Sequence, residues 1–289
     1  MNLRIHAARV IARRKTLETV LNPGFYIAQT AGLLLGYILI TGFTGAIDSS
    51  GFSFELNPVY DFVGRAMVGA FGRTFVDKLF SEGPFLLALY ISFLPSFFYL
   101  SINSVFRFSF EKKVGAIELI SYGPADGTSC FLASYVKDIL LTLLTIAILF
   151  IYFAVAAFNN NIVLGSRFLY SVPLILFTSS ALYAYGILAA VATDNAVSAI
   201  SLYMGIVIFF LIILMGTFSI VSGYVSTLSG VFTRIAGWLS PLFYWNLSLT
   251  GVESGKAGFF ITGIVILSVL TGIVLFASHL IVGVKGVRK

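Results

Sequence analysis

Six long apolar runs divide the chain, at roughly 25–47, 84–106, 136–158, 169–192, 197–222 and 258–282. Each is long enough to cross a bilayer as a helix, which takes about 20 apolar residues. The runs are continuous rather than alternating, which excludes a strand-built barrel. Between the second and third runs the pattern breaks. The stretch FSFEKKVGAIELISYGPADG, residues 108–127, holds two lysines, two glutamates, an aspartate, three glycines and a proline.

Composition fixes the class. Of 289 residues 58% are hydrophobic and 10% charged, with mean hydropathy +0.99, against about 25% charged in a soluble domain. The predicted fold is an all-α integral membrane protein: one domain over 1–289 with six transmembrane helices. The basic stretch before the first run continues to Lys15, and that run is too long for the core of a cleavable signal peptide.

Charge sets the expected orientation. Six crossings put both termini on one side. Of the 18 Lys and Arg residues, 12 fall on that side and 6 on the other, while the 12 acids split evenly. The excess of basic residues places both termini in the cytoplasm. Residues 1–20 then read as a cytoplasmic interfacial helix on anionic lipid rather than a nucleic-acid arm. Residues 107–137 form a cytoplasmic elbow, and 48–83 and 223–255 lie outside. In the outer loop, Val59, Phe62, Val63, Ala66, Met67, Ala70 and Phe71 recur at helical spacing and predict an amphipathic helix.

Candidate chemistry is sparse. The six apolar cores read as free of Asp, Glu, Lys and Arg, with Lys137 and Asp138 counted on the cytoplasmic flank of the third run. That argues against proton coupling, which needs ionisable groups within the membrane; carbonyl sites for sodium stay open. His279 near the end of the sixth run reads as structural. No HExxH motif or paired histidine offers a metal site, and neither His6 nor His279 has a nucleophile partner. Cys130, the single cysteine, excludes an internal disulfide. GVESGKAG at 251–258 resembles a phosphate-binding loop, but Thr250 stands at its first glycine position and Ala257 follows Lys256. No catalytic residue, metal or cofactor is assigned to this chain.

The elbow carries the remaining signal. Glu111–Tyr122 reads as a short amphipathic helix with Val114 and Ile117 on one face and Lys112, Lys113 and Glu118 elsewhere. Gly123-Pro124 stops it, and Asp126 caps the next helix. By itself this is either a rigid lever or an interfacial anchor.

Its residues resemble the signature of the permease subunits of type-2 ABC exporters, matched here at Glu111, Gly115, Glu118-Leu119, Pro124 and Lys137. NPGFYI (22–27), GILAAVATDNAVSAISLYMG (186–205) and LSPLFYWNLSLTGV (239–252) resemble further segments of that family in the same order. The resemblance implies a second permease as partner and an ABC ATP-binding subunit that holds ATP and Mg. It implies that the elbow is a coupling helix: Glu111, Lys112, Lys113 and Glu118 touch the ATPase, Gly115 allows close approach, and Pro124 fixes the bend. It also implies a re-entrant segment near an outer gate, around Trp238, Ser240, Pro241 and Tyr244; an interfacial aromatic belt is the alternative. Gly32 and Gly36 form a small-residue pair for helix packing, within the chain or between subunits. The alternatives to an ATP-driven permease are a self-sufficient secondary transporter or channel, and a polytopic membrane enzyme.

Overall fold

A computed structural model of the chain describes residues 2–44, 46–48, 51–52, 57–73, 76, 79, 84–117, 127–159, 164–221 and 236–285. Among these residues there are nine helices: α1 (Asn2–Val20), α2 (Pro23–Thr44), α3 (Pro58–Phe71), α4 (Phe85–Lys113), α5 (Gly127–Asn159), α6 (Ser166–Ala192), α7 (Ala196–Val221), α8 (Pro241–Glu253) and α9 (Ala257–Lys285). Two short strands, β1 (Ile47–Asp48) and β2 (Gly51–Phe52), pair antiparallel after α2. Six helices, α2, α4, α5, α6, α7 and α9, are long and apolar enough to cross a membrane. The chain has the architecture of a multi-pass membrane protein.

Local chemistry starts and stops these helices. The Asn22 side chain accepts from Gly24 N at 2.9 Å, with Pro23 opening α2. Asn57 likewise accepts from Val59 N at 2.9 Å, with Pro58 opening α3. An Asn cap followed by proline satisfies one free N–H and removes another. Between α8 and α9, Lys256 N bonds Gly251 O at 3.0 Å and Gly255 N faces Val252 O at 3.4 Å, with Gly255 at φ 65. This is a Schellman cap, which needs glycine at the left-handed position. The glycine-lysine pair that resembled a phosphate loop is therefore a helix terminator.

α4 and α6 are the central staves. In α6, 72% of the most apolar stretch is buried, against 28% in α9. α2 lies directly on α4, because Gly32 faces the Ser92 carbonyl and Gly36 faces the Ser92 hydroxyl and the Phe153 ring. A Cβ at Gly32 would overlap backbone. Phe85, Phe153 and Phe168 stack edge-to-face where α4, α5 and α6 meet.

The amphipathic helix expected in the outer loop is α3. Its inward face is Val59, Tyr60, Val63, Gly64, Met67 and Phe71, and Tyr60 is fully buried with Oη donating to Leu39 O at 2.7 Å. Phe62 and Ala66, expected on the apolar face, point outward, Phe62 at 74% exposure. Tyr60, which the spacing did not select, is held on the inward face by its bond to a carbonyl of α2.

The elbow also differs from expectation. α4 runs on through Glu111, Lys112 and Lys113, the chain turns at 114–115, and helix resumes at 116–117, so the start expected at Glu111 is too early. At about 1.5 Å per residue its 29 residues reach about 43 Å, well past a hydrocarbon core of about 30 Å. Gly115, at φ 77, ends the run. It is the left-handed residue that closes the helix, a requirement of backbone conformation. Glu118, Leu119, Pro124 and Asp126 lie outside the described residues, as do 223–235.

Candidate functional site

The site is a girdle of polar side chains on the side of the bundle that carries both termini. Its framework is the overhang of α4, the first turns of α5, α1, and the turn between α6 and α7. Arg107, Glu111 and Lys112 are on α4 beyond the apolar core. Ser134, Lys137 and Asp138 are on α5, which starts at Gly127 and is therefore a turn or more into its course before its apolar run begins.

α1 is locked to this framework. Ala12 and Thr19 are buried against the bundle. Lys15 Nζ lies 2.6 Å from Glu111 Oε2 and 3.1 Å from Ser134 Oγ, so one ammonium joins α1, α4 and α5. The pair is mostly shielded, at 13% and 27% exposure. Arg107 adds a second link, 3.6 Å from Glu18. The outer face of α1 keeps Val10, Leu17 and Arg14 exposed. That pattern suits a helix lying at a lipid surface.

Lys112 makes the second clasp. Its ammonium donates to Val191 O at 3.2 Å and Thr193 O at 2.9 Å, and lies 3.2 Å from Asp194 Oδ1. α6 ends at Ala192, so these are carbonyls without a following helical turn. A cation there satisfies them and meets the negative end of the helix dipole.

The third element is Lys137 and Asp138. Both are almost fully buried, at 2% and 1% exposure. Lys137 Nζ lies 2.8 Å from Asp138 Oδ1 and donates to Ser104 Oγ at 3.3 Å. Neighbours in a helix do not squarely face each other, so the two groups meet as an ion pair. Tyr183 and Tyr203 are buried within electrostatic range of Asp138, and the Tyr183 hydroxyl shares a 2.8 Å hydrogen bond with Thr142. The sequence places Lys137 and Asp138 on the flank of the third run. By helix rise Lys137 is about 33 Å from Asn159, near the edge of an apolar core of about 30 Å. Yet the pair is enclosed by protein, because α1, α4 and α6 cover it.

The residues expected to touch a partner are thus differently placed. Glu111 and Lys112 are held within the chain, whereas Lys113 and Val114 are exposed. Lys15, Ser134, Asp138 and Asp194 complete the girdle and were not singled out by pattern. Lys137 was matched through the resemblance alone; the signal that could have found Asp138 is two polar residues in succession at the head of an apolar run.

On the opposite side, α8 is a 13-residue helix folded back on α9. Gly263 of α9 faces Ser248 and the Tyr244 carbonyl, and Gly251 of α8 faces Phe260. Tyr185 donates to Leu239 O at 2.8 Å, and Tyr244 to Trp238 O at 3.1 Å. Ser240 is buried and Pro241 opens the helix, while Trp238 is 70% exposed. Tyr185 is 19 residues along α6 from Ser166, about 28 Å by helix rise. The start of α8 therefore lies deep beside α6, and its end lies level with the start of α9.

No protein-family model, curated protein or solved structure matches this chain.

Proposed function

We propose that the chain is the membrane-spanning permease subunit of an ATP-driven exporter of the type-2 ABC kind. It pairs with a second permease in the cytoplasmic membrane, with both termini cytoplasmic. A separate ATP-binding subunit docks on the elbow and carries ATP and Mg; this chain has no enzymatic activity. The observation that carries the reading is the double clasp at the end of α4. Lys15–Glu111 ties that end to α1 and α5, and Lys112 ties it to the α6–α7 turn. A push on the elbow next to Lys113 and Val114 would thus reach five helices at once. The resemblance at Gly115, Glu118-Leu119 and Pro124 supports the same reading. So does α8, whose deep start and return toward α9 suit a re-entrant segment beside an outer gate.

The test is purification of the tagged chain from its native membrane in mild detergent, with mass spectrometry of what stays bound. The expected result is a stoichiometric ATP-binding subunit, lost when Gly115 and Glu118 are replaced. A chain that purifies alone in several mild detergents overturns the reading.

One observation favours a second reading, a self-sufficient secondary transporter. Lys137 and Asp138 are buried ionisable groups near the membrane edge, the kind of residue that ion-coupled transport uses. Flux into proteoliposomes driven by an ion gradient alone, and abolished by Asp138→Asn, would establish it; flux that needs ATP and a partner would exclude it.

A further inference from the structure

A cavity of about 320 Å³ lies between α3, α4, α6, α7 and α8, on the side away from the polar girdle. Its walls are almost wholly apolar. Leu182 of α6, Val207 of α7 and Trp245 of α8 line it, and Met67 of α3 roofs it. Leu94 stands at its rim and is 46% exposed, so the cavity reaches the flank of the bundle within a membrane-spanning stretch of α4. The volume lies in the range of small-molecule sites, which start at about 300 Å³.

Water does not fill such a space, because it would find too few polar partners. Left empty, the lining would forfeit dispersion contacts along its whole area. A further atom lacks a partner as well. Thr178, 7% exposed, lines the cavity, and its Oγ1 is buried without a hydrogen-bond partner among the described residues. The surrounding medium at the Leu94 rim is hydrocarbon. We propose that this cavity is a binding site for the hydrocarbon chain of an amphiphile, which enters sideways from the membrane past Leu94 and can meet the Thr178 hydroxyl with a polar group. The site is separate from the girdle and does not depend on how transport is energised.

The chemistry is shared by two sources, a resident bilayer lipid and a transported amphiphile. The test uses the purified full chain in nanodiscs with a lysophosphatidylcholine that carries a diazirine midway along its acyl chain. After photolysis, labelled peptides are mapped. Labelling is expected to concentrate on α4, α6 and α7 around Phe97, Leu182 and Val207. In Leu182→Trp, which puts a bulkier ring into the space and narrows it, labelling of these residues falls several-fold. In Ile151→Trp, on an exposed face of α5, it stays as in the wild type. If Leu182→Trp does not accumulate, Val207→Phe narrows the same space from α7. Labelling spread evenly over exposed faces, or unchanged in a narrowed variant that folds, overturns the proposal. Native mass spectrometry separates the sources. A lipid that is retained and does not exchange with added probe marks a resident; one that exchanges marks a transported amphiphile.

Discussion

Lys15 and Glu111 meet at 2.6 Å across 96 residues of sequence, and that contact fastens the N-terminal helix to the overhang of α4. The pair is shielded enough to matter and open enough to be screened. Its value therefore falls between that of an exposed pair, about 0–1 kcal/mol, and the larger cost of breaking a buried one. Lys15→Met is expected to lower stability by about 1–2 kcal/mol, and the double variant with Glu111→Gln to lose less than the two singles together. Thermal unfolding in detergent at low and high salt checks both; full additivity would mean that the pair does not interact.

Gly36 faces a side-chain atom, whereas Gly32 faces backbone. A Cβ at Gly36 would sit 2.7 Å from Ser92 Oγ and 3.2 Å from Phe153. Gly36→Ala should cost about 1–3 kcal/mol by overpacking, and Ser92→Ala should restore much of it. The same second change should not rescue Gly32→Ala, since the Ser92 carbonyl remains in place. Yield and melting temperature of the four variants decide the matter.

Gly115 at φ 77 is expected to resist replacement for conformational reasons before any partner is considered. Gly115→Ala should cost about 1–2 kcal/mol, and Gly115→Asn less, because asparagine tolerates the left-handed region. Equal loss in both variants would point to contact rather than conformation.

Lys137 and Asp138 distinguish structure from transport. Lys137→Met strands a buried carboxylate and should destabilise by about 3–5 kcal/mol. Lys137→Met with Asp138→Leu removes both charges and should recover most of that loss. If the double variant is stable and keeps the ATP-dependent flux that the proposed function expects, the pair is structural; if it is stable and that flux is lost, the pair serves transport.

Tyr60 offers a test in pH. Burial holds its hydroxyl above its ordinary value of 10.0. The folded chain therefore binds that proton more tightly than the unfolded chain does. Its contribution is complete below the ordinary value and is lost as pH rises through the folded one. Tyr60→Phe should cost about 1 kcal/mol at neutral pH, the worth of one hydrogen bond, and should flatten the alkaline decline in melting temperature. An alkaline limb as steep as in the wild type would exclude Tyr60 as its source.

Much of the fold was legible along the chain, and the reasons are local. Hydrocarbon demands that a backbone satisfy its own hydrogen bonds over a span of fixed thickness, so the six runs announced the six long helices. The caps at Asn22 and Asn57 act through residues one to three positions away. The side of α3 that faces inward was legible only in part, because Tyr60 is held by a carbonyl on another helix, 21 residues distant. The start of the elbow helix was placed too early for a related reason. Polar residues after Phe108 suggested a new helix, but α4 continues through Lys113, with Glu111 held by Lys15 on α1 and Lys112 held at the end of α6.

The candidate site belongs mostly to the tertiary structure. Charge counts along the chain treated Lys15, Glu111, Lys112, Lys137 and Asp138 as solvated. The fold brings them together or covers them, since a charge leaves water only where opposite charges and carbonyls are arranged to receive it. Those partners lie 79 to 96 residues away for Lys112 and Lys15, beyond the reach of any periodicity. The same holds for the apolar cavity, whose walls come from five helices that pattern alone describes as equally greasy. Hydropathy and helix rise suffice to place this chain in a membrane. The enclosure of its charges and the room left between its helices follow from how the helices pack.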